Sequence, residues 1–343
     1  MAITYKCPSC GAAMAFDSEK GTLSCEYCGT DLPIEEVEQT LDQEEYEPLG
    51  EQARRETGDF KVYRCPSCGA EMLTDDYTTA AVCSFCGAPG LMEDRLTGEL
   101  RPSRVLPFQI SKEKAEDIFR QWTRKGLLTP KDFRSRNTIE KISGIYVPYW
   151  LYDYDASVML TAHCTRVRTQ RRGEWQYTYT DHYQVHREVN SDFDGVPEDA
   201  SEKMDDQTME RAEPFDYSQM KEFDMPYLAG YLSEKYNYTS EEMAQRAKKR
   251  VSDMAFDVAR GTINGYTSVN VTNRRIHLKE KAVEYVLLPV WMLNYRYQGK
   301  NYQFLINGQS GKMVGALPVS KGRTAAFFGL VSAAAFLLLT ILL

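Results

Sequence analysis

The chain has 343 residues, of which 43% are apolar and 12% aromatic, and it carries a formal net charge of −8. This apolar content excludes a disordered chain and is enough for the cores of two or three domains. The acidic balance argues against a protein that neutralises phosphates along its whole length, which makes nucleic acid the weaker class of ligand.

Two copies of a cysteine motif lie near the N-terminus. YKCPSCGAAM from Tyr5 and YRCPSCGAEM from Tyr63 match nearly residue for residue, and fourteen residues separate the CxxC pairs of each copy. Because zinc prefers four thiolates in a tetrahedron and a CxxC turn supplies two sulfurs, this spacing predicts two closed zinc ribbons with one ion in each. The expected ligands are Cys7, Cys10, Cys25 and Cys28 in the first ribbon and Cys65, Cys68, Cys83 and Cys86 in the second.

Iron and disulfides are the alternatives to zinc at these cysteines. Rubredoxin-like sites hold iron in similar knuckles, whereas a catalytic zinc would keep one ligand position open. The first residues lack the charged start and apolar run of a signal peptide, which predicts a reducing, cytosolic compartment and argues against disulfides. The glycine after the second cysteine of each pair is expected to adopt a positive φ, so that backbone N–H groups turn toward the sulfurs. These glycines are Gly11, Gly29, Gly69 and Gly87.

Changes of composition along the chain predict five segments. Acidic residues dominate the stretch between the two ribbons, which we expect to be a solvated, partly helical linker. The predicted boundaries are residues 1–32 for the first ribbon, 33–60 for the linker, 61–100 for the second ribbon, 101–320 for an α+β domain and 325–343 for a transmembrane helix.

Two amphipathic helices are predicted after the ribbons. The first begins with Ser111 as N-cap and ends at Gly126. The second begins at a capping box formed by Thr239 and Glu242 and ends at Gly261. Its apolar face is expected to comprise Met243, Ala247, Val251, Met254 and Val258.

A second repeat indicates the arrangement of the strands. VPYWLYDY from Val147 aligns with LPVWMLNY from Leu288, and each segment is expected to open a β-meander. Together with the helices, these segments predict an α+β domain of two related antiparallel sheets or half-sheets, joined by a helical insertion at about residues 198–260.

Two hairpins are predicted within these meanders. Residues 157–170 and 175–189 alternate well enough to pair about a turn near Gly173. The second hairpin turns at Asn307 and Gly308, which is a strong turn signal between apolar runs.

Other residues offer weaker candidates for chemistry. His182 and His186 lie in a strand-like pattern, where residues four apart are about 13 Å from one another, so surface histidines are favoured over ligands. The GQSGK segment from Gly308 lacks the spacing of a phosphate loop and is expected to be a hairpin turn. Cys164 is expected to be a small buried hydrophobe. No catalytic grouping stands out, and the sequence therefore predicts a protein that is not an enzyme.

Four arginines crowd the predicted tip of the first hairpin beside Trp175, Tyr177 and Tyr179. Arginines and aromatic rings together suit anionic lipid headgroups or stacked single-stranded nucleic acid, while a solvated hairpin tip is the alternative. The arginines are Arg166, Arg168, Arg171 and Arg172.

The C-terminal end of the sequence is apolar. Residues 325–343 contain no charged side chain, and as a helix they would span about 28 Å, close to the ~30 Å hydrocarbon core of a bilayer. Lys321 and Arg323 precede this stretch, as basic residues do on the cytoplasmic side of a span. We expect a C-terminal membrane anchor, with a buried core helix as the alternative.

The ribbon pair, the two P-x-W strands, the NGQSGK hairpin and the terminal span together resemble a family of membrane-anchored double zinc-ribbon proteins of Gram-positive bacteria. Such proteins are often labelled transcription factor IIB-type zinc ribbons or primosomal helicases, although this chain lacks the helicase's phosphate loop. Relatives of this kind can continue into a second membrane segment. The resemblance implies a single-pass protein of the bacterial cell membrane with its N-terminal domains in the cytoplasm. It also implies partners of the phage-shock or flotillin-like type in the envelope-stress response.

These features favour a scaffold or adaptor that recruits cytosolic or membrane proteins, with anionic lipid as a further ligand. The alternative is a membrane-tethered zinc-ribbon protein that binds nucleic acid. Iron-based electron transfer is a third hypothesis, and metal analysis distinguishes it.

Overall fold

The computed structural model describes residues 2–40 and 61–342, apart from residues 66, 67, 70, 84, 85, 87, 93, 94, 97 and 131. Most of the predicted acidic linker therefore lies outside the described residues. The chain forms two compact units. Unit 1 comprises Met1–Pro148, Ser201–Asn237 and Val286–Leu343, and unit 2 comprises Tyr149–Ala200 and Tyr238–Tyr285.

Six α-helices and sixteen strands occur among the described residues. The helices are α1 Ile34–Thr40, α2 Lys112–Arg124, α3 Arg136–Ile139, α4 Asp206–Ala212, α5 Ser240–Gly261 and α6 Lys321–Leu342. The strands are β1 Ala2–Ile3, β2 Ala15–Asp17, β3 Thr22–Ser24, β4 Asp31–Pro33, β5 Lys61–Arg64, β6 Glu71–Thr74, β7 Thr78–Val82, β8 Pro89–Met92, β9 Arg104–Val105, β10 Ser143–Arg172, β11 Trp175–Asp199, β12 Lys221–Glu222, β13 Leu232–Glu234, β14 Ser268–Tyr297, β15 Lys300–Asn307 and β16 Met313–Val314.

One large mixed sheet contains both repeat segments, which therefore do not form two separate sheets. In the described part of the chain this sheet has eleven strands, with the order β1-β8-β7-β13-β10-β14-β15-β16 along its main path. β10 pairs in parallel with β13 and β14 with β9, whereas β10 pairs antiparallel with β11 and β14 with β15. The two repeat segments lie within β10 and β14, which are neighbours, so neither segment opens a separate meander.

The core of unit 1 contains a group of packed aromatic rings. Phe108 stacks on Tyr231 with ring centroids 4.2 Å apart, and the rings of Tyr146 and Trp291 each lie 5.0 Å from Phe108 in edge contacts. The indole N–H of Trp291 donates to the carbonyl of Ile110 at 2.9 Å, which satisfies the polar end of a buried side chain. These contacts hold the segment before α2 against the sheet.

Unit 2 is built from the long hairpin of β10 and β11, with α5 packed on one face. The hairpin turns at Gly173, whose φ is +63°, as the sequence predicts, but the pairing extends further than expected, up to Arg172 opposite Trp175. Cys164 is fully buried in this core, also as predicted. The buried hairpin residues are Ala156, Val158, Leu160, Ala162, Cys164 and Val185, and they pack against Ala255, Ala259 and Ile263.

The capping box at the start of α5 is present, since Thr239 and Glu242 each bond the other's backbone N–H. The predicted apolar face is confirmed at Met243, Ala247 and Val251, which are buried. It is wrong at Val258, which is 47% exposed. The buried residues recur at every fourth position, Met243, Ala247, Val251, Ala255 and Ala259.

The predicted helical insertion at residues 198–260 is not shown. Residues 201–237 belong to unit 1 and contain one α-helix, α4, among short strands and turns, whereas α5 belongs to unit 2.

The second predicted hairpin is present, but its turn is longer than Asn307-Gly308 alone. β15 ends at Asn307 and β16 begins at Met313. The buried Asn307 carboxamide accepts hydrogen bonds from the N–H groups of Gln309 and Ser310, both at 2.9 Å, and donates to Ala212 at 2.9 Å. The GQSGK segment is therefore a hairpin turn, as predicted.

α6 is long and apolar enough to cross a membrane, by length and composition. Its candidate span covers residues 321–340 with a mean hydropathy of 1.7, and none of its most apolar window is buried against the rest of the chain.

Candidate metal centres

The first cysteine quartet is compact. Its four Sγ atoms all lie within 4.8 Å of one another. The Sγ atoms of Cys7 and Cys28 are 3.4 Å apart, and those of Cys10 and Cys25 are 3.6 Å apart. Cys7 and Cys25, the first members of the two CxxC pairs, are buried, while the second members are exposed.

The second quartet repeats this arrangement. Its Sγ distances are 3.7 Å between Cys65 and Cys86 and 3.8 Å between Cys68 and Cys83. The first cysteine of each pair is again buried and the second exposed.

Both quartets fit a tetrahedral metal ion. Metal–sulfur bonds of about 2.3 Å place two sulfurs of a tetrahedral site about 3.8 Å apart, which agrees with the observed distances. A disulfide needs an S–S distance of about 2.05 Å, so the cysteines are not paired in that way. Each quartet could therefore hold one metal ion.

The backbone around the sulfurs follows one pattern in the two ribbons. Gly11, Gly29 and Gly69 each donate their N–H to the carbonyl of the first cysteine of the pair, at 2.8, 2.9 and 2.9 Å. Their φ values are +73°, +75° and +75°, while a Cβ would meet nothing within 4 Å, so the positive φ alone explains the need for glycine. The predicted positive φ is confirmed at these three glycines, and Gly87 lies outside the described residues.

Hydrogen bonds make the thiols of the first quartet unequal. Burial alone would raise the pKa of Cys7, but the N–H groups of Ser9 and Cys10 outweigh it and lower the pKa to about 6. The hydroxyl and N–H of Thr30 lower the pKa of Cys28. For Cys10 the N–H of Ala12 lowers the pKa, but burial and the three neighbouring thiols raise it to about 12. Metal binding must therefore release protons from this quartet.

The two ribbons share contacts within unit 1. β1, which precedes the first ribbon, pairs antiparallel with β8 of the second, with Ala2 opposite Met92. Ala13 of the first ribbon packs against the core of the second, which includes Tyr63 and Cys65. The N–H of Phe16 donates to Ala229 at 2.9 Å. The two ribbons therefore contact one another within unit 1.

Three ionised side chains tie the second ribbon to the rest of unit 1. Lys203 Nζ lies 2.6 Å from Asp75, in the loop between β6 and β7, and 2.9 Å from Glu234 in β13. The Glu234 side chain is only 3% exposed, and Ser201 also donates to it. No local pattern in the sequence signals this cluster, because its members are far apart along the chain.

The register of β10 and β11 divides the four hairpin arginines between two faces. Residues opposite one another in an antiparallel pair share a face. Arg168 lies opposite Tyr179 and Arg172 opposite Trp175, whereas Arg171 lies opposite Gln176 on the other face. Arg166 shares the face of Arg168, and its guanidinium donates to Gly265 at 3.1 Å.

Aromatic rings accompany the arginines on the first face. Trp175 is 73% exposed, and Tyr177 and Tyr179 are also exposed. The guanidinium of Arg168 lies 5.6 Å from the ring of Tyr179, within the range of a cation–π interaction. Sequence reasoning missed Tyr183 and Tyr266, whose rings each lie 5.6 Å from the guanidinium of Arg166.

His182 and His186 lie on β11, as the strand pattern predicts. The rings of His182 and His163 stack 5.2 Å apart, and His186 contacts the hydroxyl of Thr161 at 3.1 Å. Across the described residues, the only groups of three or more that could hold a metal ion are the two cysteine quartets.

The described residues thus define a class of protein: an α+β fold with two groups of four cysteines near its N-terminus, each of which could hold a metal ion, and an apolar C-terminal helix long enough to cross a membrane. The chain is 45% identical over 339 residues to the protein described as "Uncharacterized protein YdjG" of Bacillus subtilis (strain 168), an alignment that covers 99% of this chain and 97% of the relative. The chain belongs to the same family as that protein. No protein-family model and no solved structure matches it.

Proposed function

We propose that this protein is a membrane-anchored zinc-ribbon scaffold or adaptor, not an enzyme, which recruits cytosolic or membrane proteins. The observation that carries the proposal is the exposed apolar surface of α6 on a chain that also holds two closed cysteine quartets. Phe328 and Leu330 are each 72% exposed and Phe336 is 68% exposed. Continuous apolar surfaces of this kind mark membrane or protein contacts, and about 20 apolar residues match the bilayer core.

The basic residues in the first turn of α6 support an orientation with this end of the helix in the cytoplasm. Lys321 and Arg323 stand at its start, and basic residues favour the cytoplasmic side of a span. Thiolate ligands also require a reducing compartment. Both features support a single-pass protein of the bacterial cell membrane whose cysteine quartets lie in the cytoplasm.

Zinc is the proposed metal in both quartets, because closed sites of four thiolates are typical of structural zinc. A closed site has no position for substrate, so the ribbons would act as binding modules. Tyr27, in the second knuckle of the first ribbon, is 86% exposed, and tyrosine is a frequent anchor of protein interfaces. The resemblance noted above makes phage-shock-type and flotillin-like proteins of the envelope-stress response the first partners to test.

Two experiments test this proposal. Deletion after Arg323 should move the protein from the membrane to the soluble fraction, and persistent membrane attachment would refute the anchor. Pull-downs from detergent-solubilised membranes should then compare the full chain with Tyr27→Ala, which leaves both quartets intact. Partners that the full chain enriches and Tyr27→Ala does not would support recruitment through the first ribbon, whereas identical captures would contradict it.

The alternative function, nucleic-acid binding, is favoured by the arginines and aromatic rings of the hairpin, since such surfaces stack single-stranded bases. It predicts binding to an oligonucleotide that weakens steeply as salt increases.

A further inference from the structure

The first turn of α6 is fixed to the loop that follows α2. The N–H of Ser320 donates to the carbonyl of Leu128 at 2.9 Å, and the guanidinium of Arg323 donates to the carbonyl of Thr129. Leu317 packs over Gly126 so closely that a Cβ on Gly126 would lie 2.5 Å from Leu317 Cδ1. The segment of residues 124–130, which comprises the last residue of α2 and the loop after it, is therefore held beside the start of the candidate span, within unit 1.

This position is close to the boundary between polar and apolar residues in α6. The apolar stretch begins at Ala325, only two residues after Arg323. At about 1.5 Å of rise per residue, Arg323 lies about 3 Å and Ser320 about 7.5 Å from that boundary. If α6 crosses a bilayer, the loop lies at the level of the headgroups.

The surface of the loop has the chemistry of a membrane interface. Leu127 is 67% exposed and Val319, beside α6, is 55% exposed. Arg124, Lys125 and Lys321 are exposed around them. Neither residues 124–130 nor residues 319–330 include an acidic side chain, although the whole chain has a net charge of −8. Exposed apolar residues among cations match the acyl boundary and the phosphates of an anionic leaflet.

We propose that this loop, which we call the juxtamembrane loop (residues 124–130), is a docking surface for the anionic leaflet that surrounds α6. Leu127 enters the acyl boundary, and Arg124 and Lys125 pair with lipid phosphates. The hydrogen bonds to Ser320 and Arg323 make this contact rigid, so that unit 1 is held in one orientation at the membrane instead of swinging on the helix. The inference rests on the proposed membrane anchoring.

A tryptophan at the exposed position 127 would report this contact. The full chain with Leu127→Trp is reconstituted in vesicles of brominated lipids, composed either of phosphatidylcholine alone or of equal parts of phosphatidylcholine and phosphatidylglycerol. Bromine quenches a tryptophan that reaches the acyl boundary, and subtraction of the parent chain's signal removes the four native tryptophans. We expect the added tryptophan to be quenched, and more strongly in the anionic vesicles.

A charge-matched pair of variants tests the role of the cations. Arg124→Gln with Lys125→Gln, in the Leu127→Trp background, should weaken docking in the anionic vesicles about fivefold for each charge removed, since each basic residue near the surface contributes on the order of that factor. Lys112→Gln with Lys114→Gln removes the same charge from the exposed start of α2 and should leave quenching unchanged.

Vesicle flotation separates failure of this inference from failure of the anchor. A chain that floats with the vesicles but whose added tryptophan is not quenched overturns the docking surface and leaves the anchor intact. Equal quenching in the double variant at Arg124 and Lys125 and in the double variant at Lys112 and Lys114 also overturns the docking surface. A chain that does not float refutes the anchor itself.

Discussion

Lys203 lies between two carboxylates from separate parts of unit 1, 2.6 Å from Asp75 and 2.9 Å from Glu234. Removal of the ammonium would leave the buried Glu234 carboxylate without its cation, which is costly in a protein interior. We expect Lys203→Met to destabilise unit 1 by roughly 1–2 kcal/mol, less than a fully buried pair because the lysine is partly exposed.

Thermal unfolding of the detergent-solubilised chain measures this effect. The control is Lys20→Met, which breaks the exposed ion pair with Asp31 and should destabilise the chain less than Lys203→Met, because exposed ion pairs contribute little. Equal effects of the two substitutions would show that the Lys203 cluster adds nothing beyond a surface pair.

The same cluster predicts a dependence on pH. Burial alone would raise the pKa of Asp75, but hydrogen bonds from Lys203 and Thr78 lower it to about 2. Since this pKa is lower than the unfolded value of about 3.9, the stabilisation is present above pH ~4 and is lost as the pH falls toward 2. The carboxylates of Asp75 and Glu234 raise the pKa of Lys203 despite its burial, so its contribution is present below about pH 10 and is lost above.

The destabilisation by Lys203→Met should therefore be constant between about pH 4 and 10 and smaller outside that window. Parallel unfolding of parent and variant at each pH cancels the loss of metal that acid causes in both. If the difference in stability between the parent chain and Lys203→Met changes between pH 5 and 8, the assignment of this pH dependence to Lys203 and Asp75 is wrong.

Metal analysis of the purified chain should give about two zinc ions, because each quartet is complete within its own ribbon. Cys65→Ser should lower the content to about one. It should also lower the unfolding temperature of the first ribbon, because Ala13 packs on the core that contains Cys65. Visible absorption by the native protein would indicate iron and contradict the zinc assignment, and an unchanged first ribbon would show that its contacts with the second are weak.

The buried face of α5 can be tested with neighbouring residues. Ala255 is 1% exposed against the hairpin, so Ala255→Leu should overpack the core of unit 2 and cost about 1–3 kcal/mol. Val258→Ala, at a position that is 47% exposed, should change stability by less than about 0.5 kcal/mol. Circular dichroism during thermal unfolding checks both, and the reverse order would support the face that the sequence predicts.

Substitutions on the two faces of the hairpin tip test whether nucleic acid binds to the aromatic face. Arg172→Gln and Arg171→Gln remove the same charge from adjacent residues, but only Arg172 shares its face with Trp175. If the aromatic face binds nucleic acid, Arg172→Gln should weaken oligonucleotide binding several-fold more than Arg171→Gln. Equal losses would indicate attraction to net charge alone, and no binding by the parent chain would remove the nucleic-acid alternative.

The sequence predicted the elements whose signals are local. The CxxC spacing located both quartets, the Thr239 capping box located the start of α5, and Gly173 located the hairpin turn. The length of β10 could not be predicted, because its pattern changes along its 30 residues from buried on both faces, through alternation, to exposed. Each of the three patterns taken alone resembles a separate strand, and a typical strand is much shorter than β10.

Contacts between distant residues had no local signal at all. β1 is only two residues long, yet it joins the start of the chain to the second ribbon. The division of the arginines between two faces also required the register of β10 and β11, because a shift by one residue would exchange the faces.

The hydrogen bond between Phe16 and Ala229 has a consequence for biosynthesis. All four cysteines of the first ribbon emerge from the ribosome early, whereas its docking partner Ala229 follows about 200 residues later, or about 10 to 40 s at ordinary translation rates. The ring of Phe16 also makes an edge contact with the ring of Tyr227, with centroids 5.3 Å apart. Until Tyr227 has been synthesised, Phe16 lacks this contact. We expect the nascent chain to depend on prompt metal uptake, because a metal-loaded ribbon would protect its thiols until the segment that contains Tyr227 and Ala229 has been synthesised.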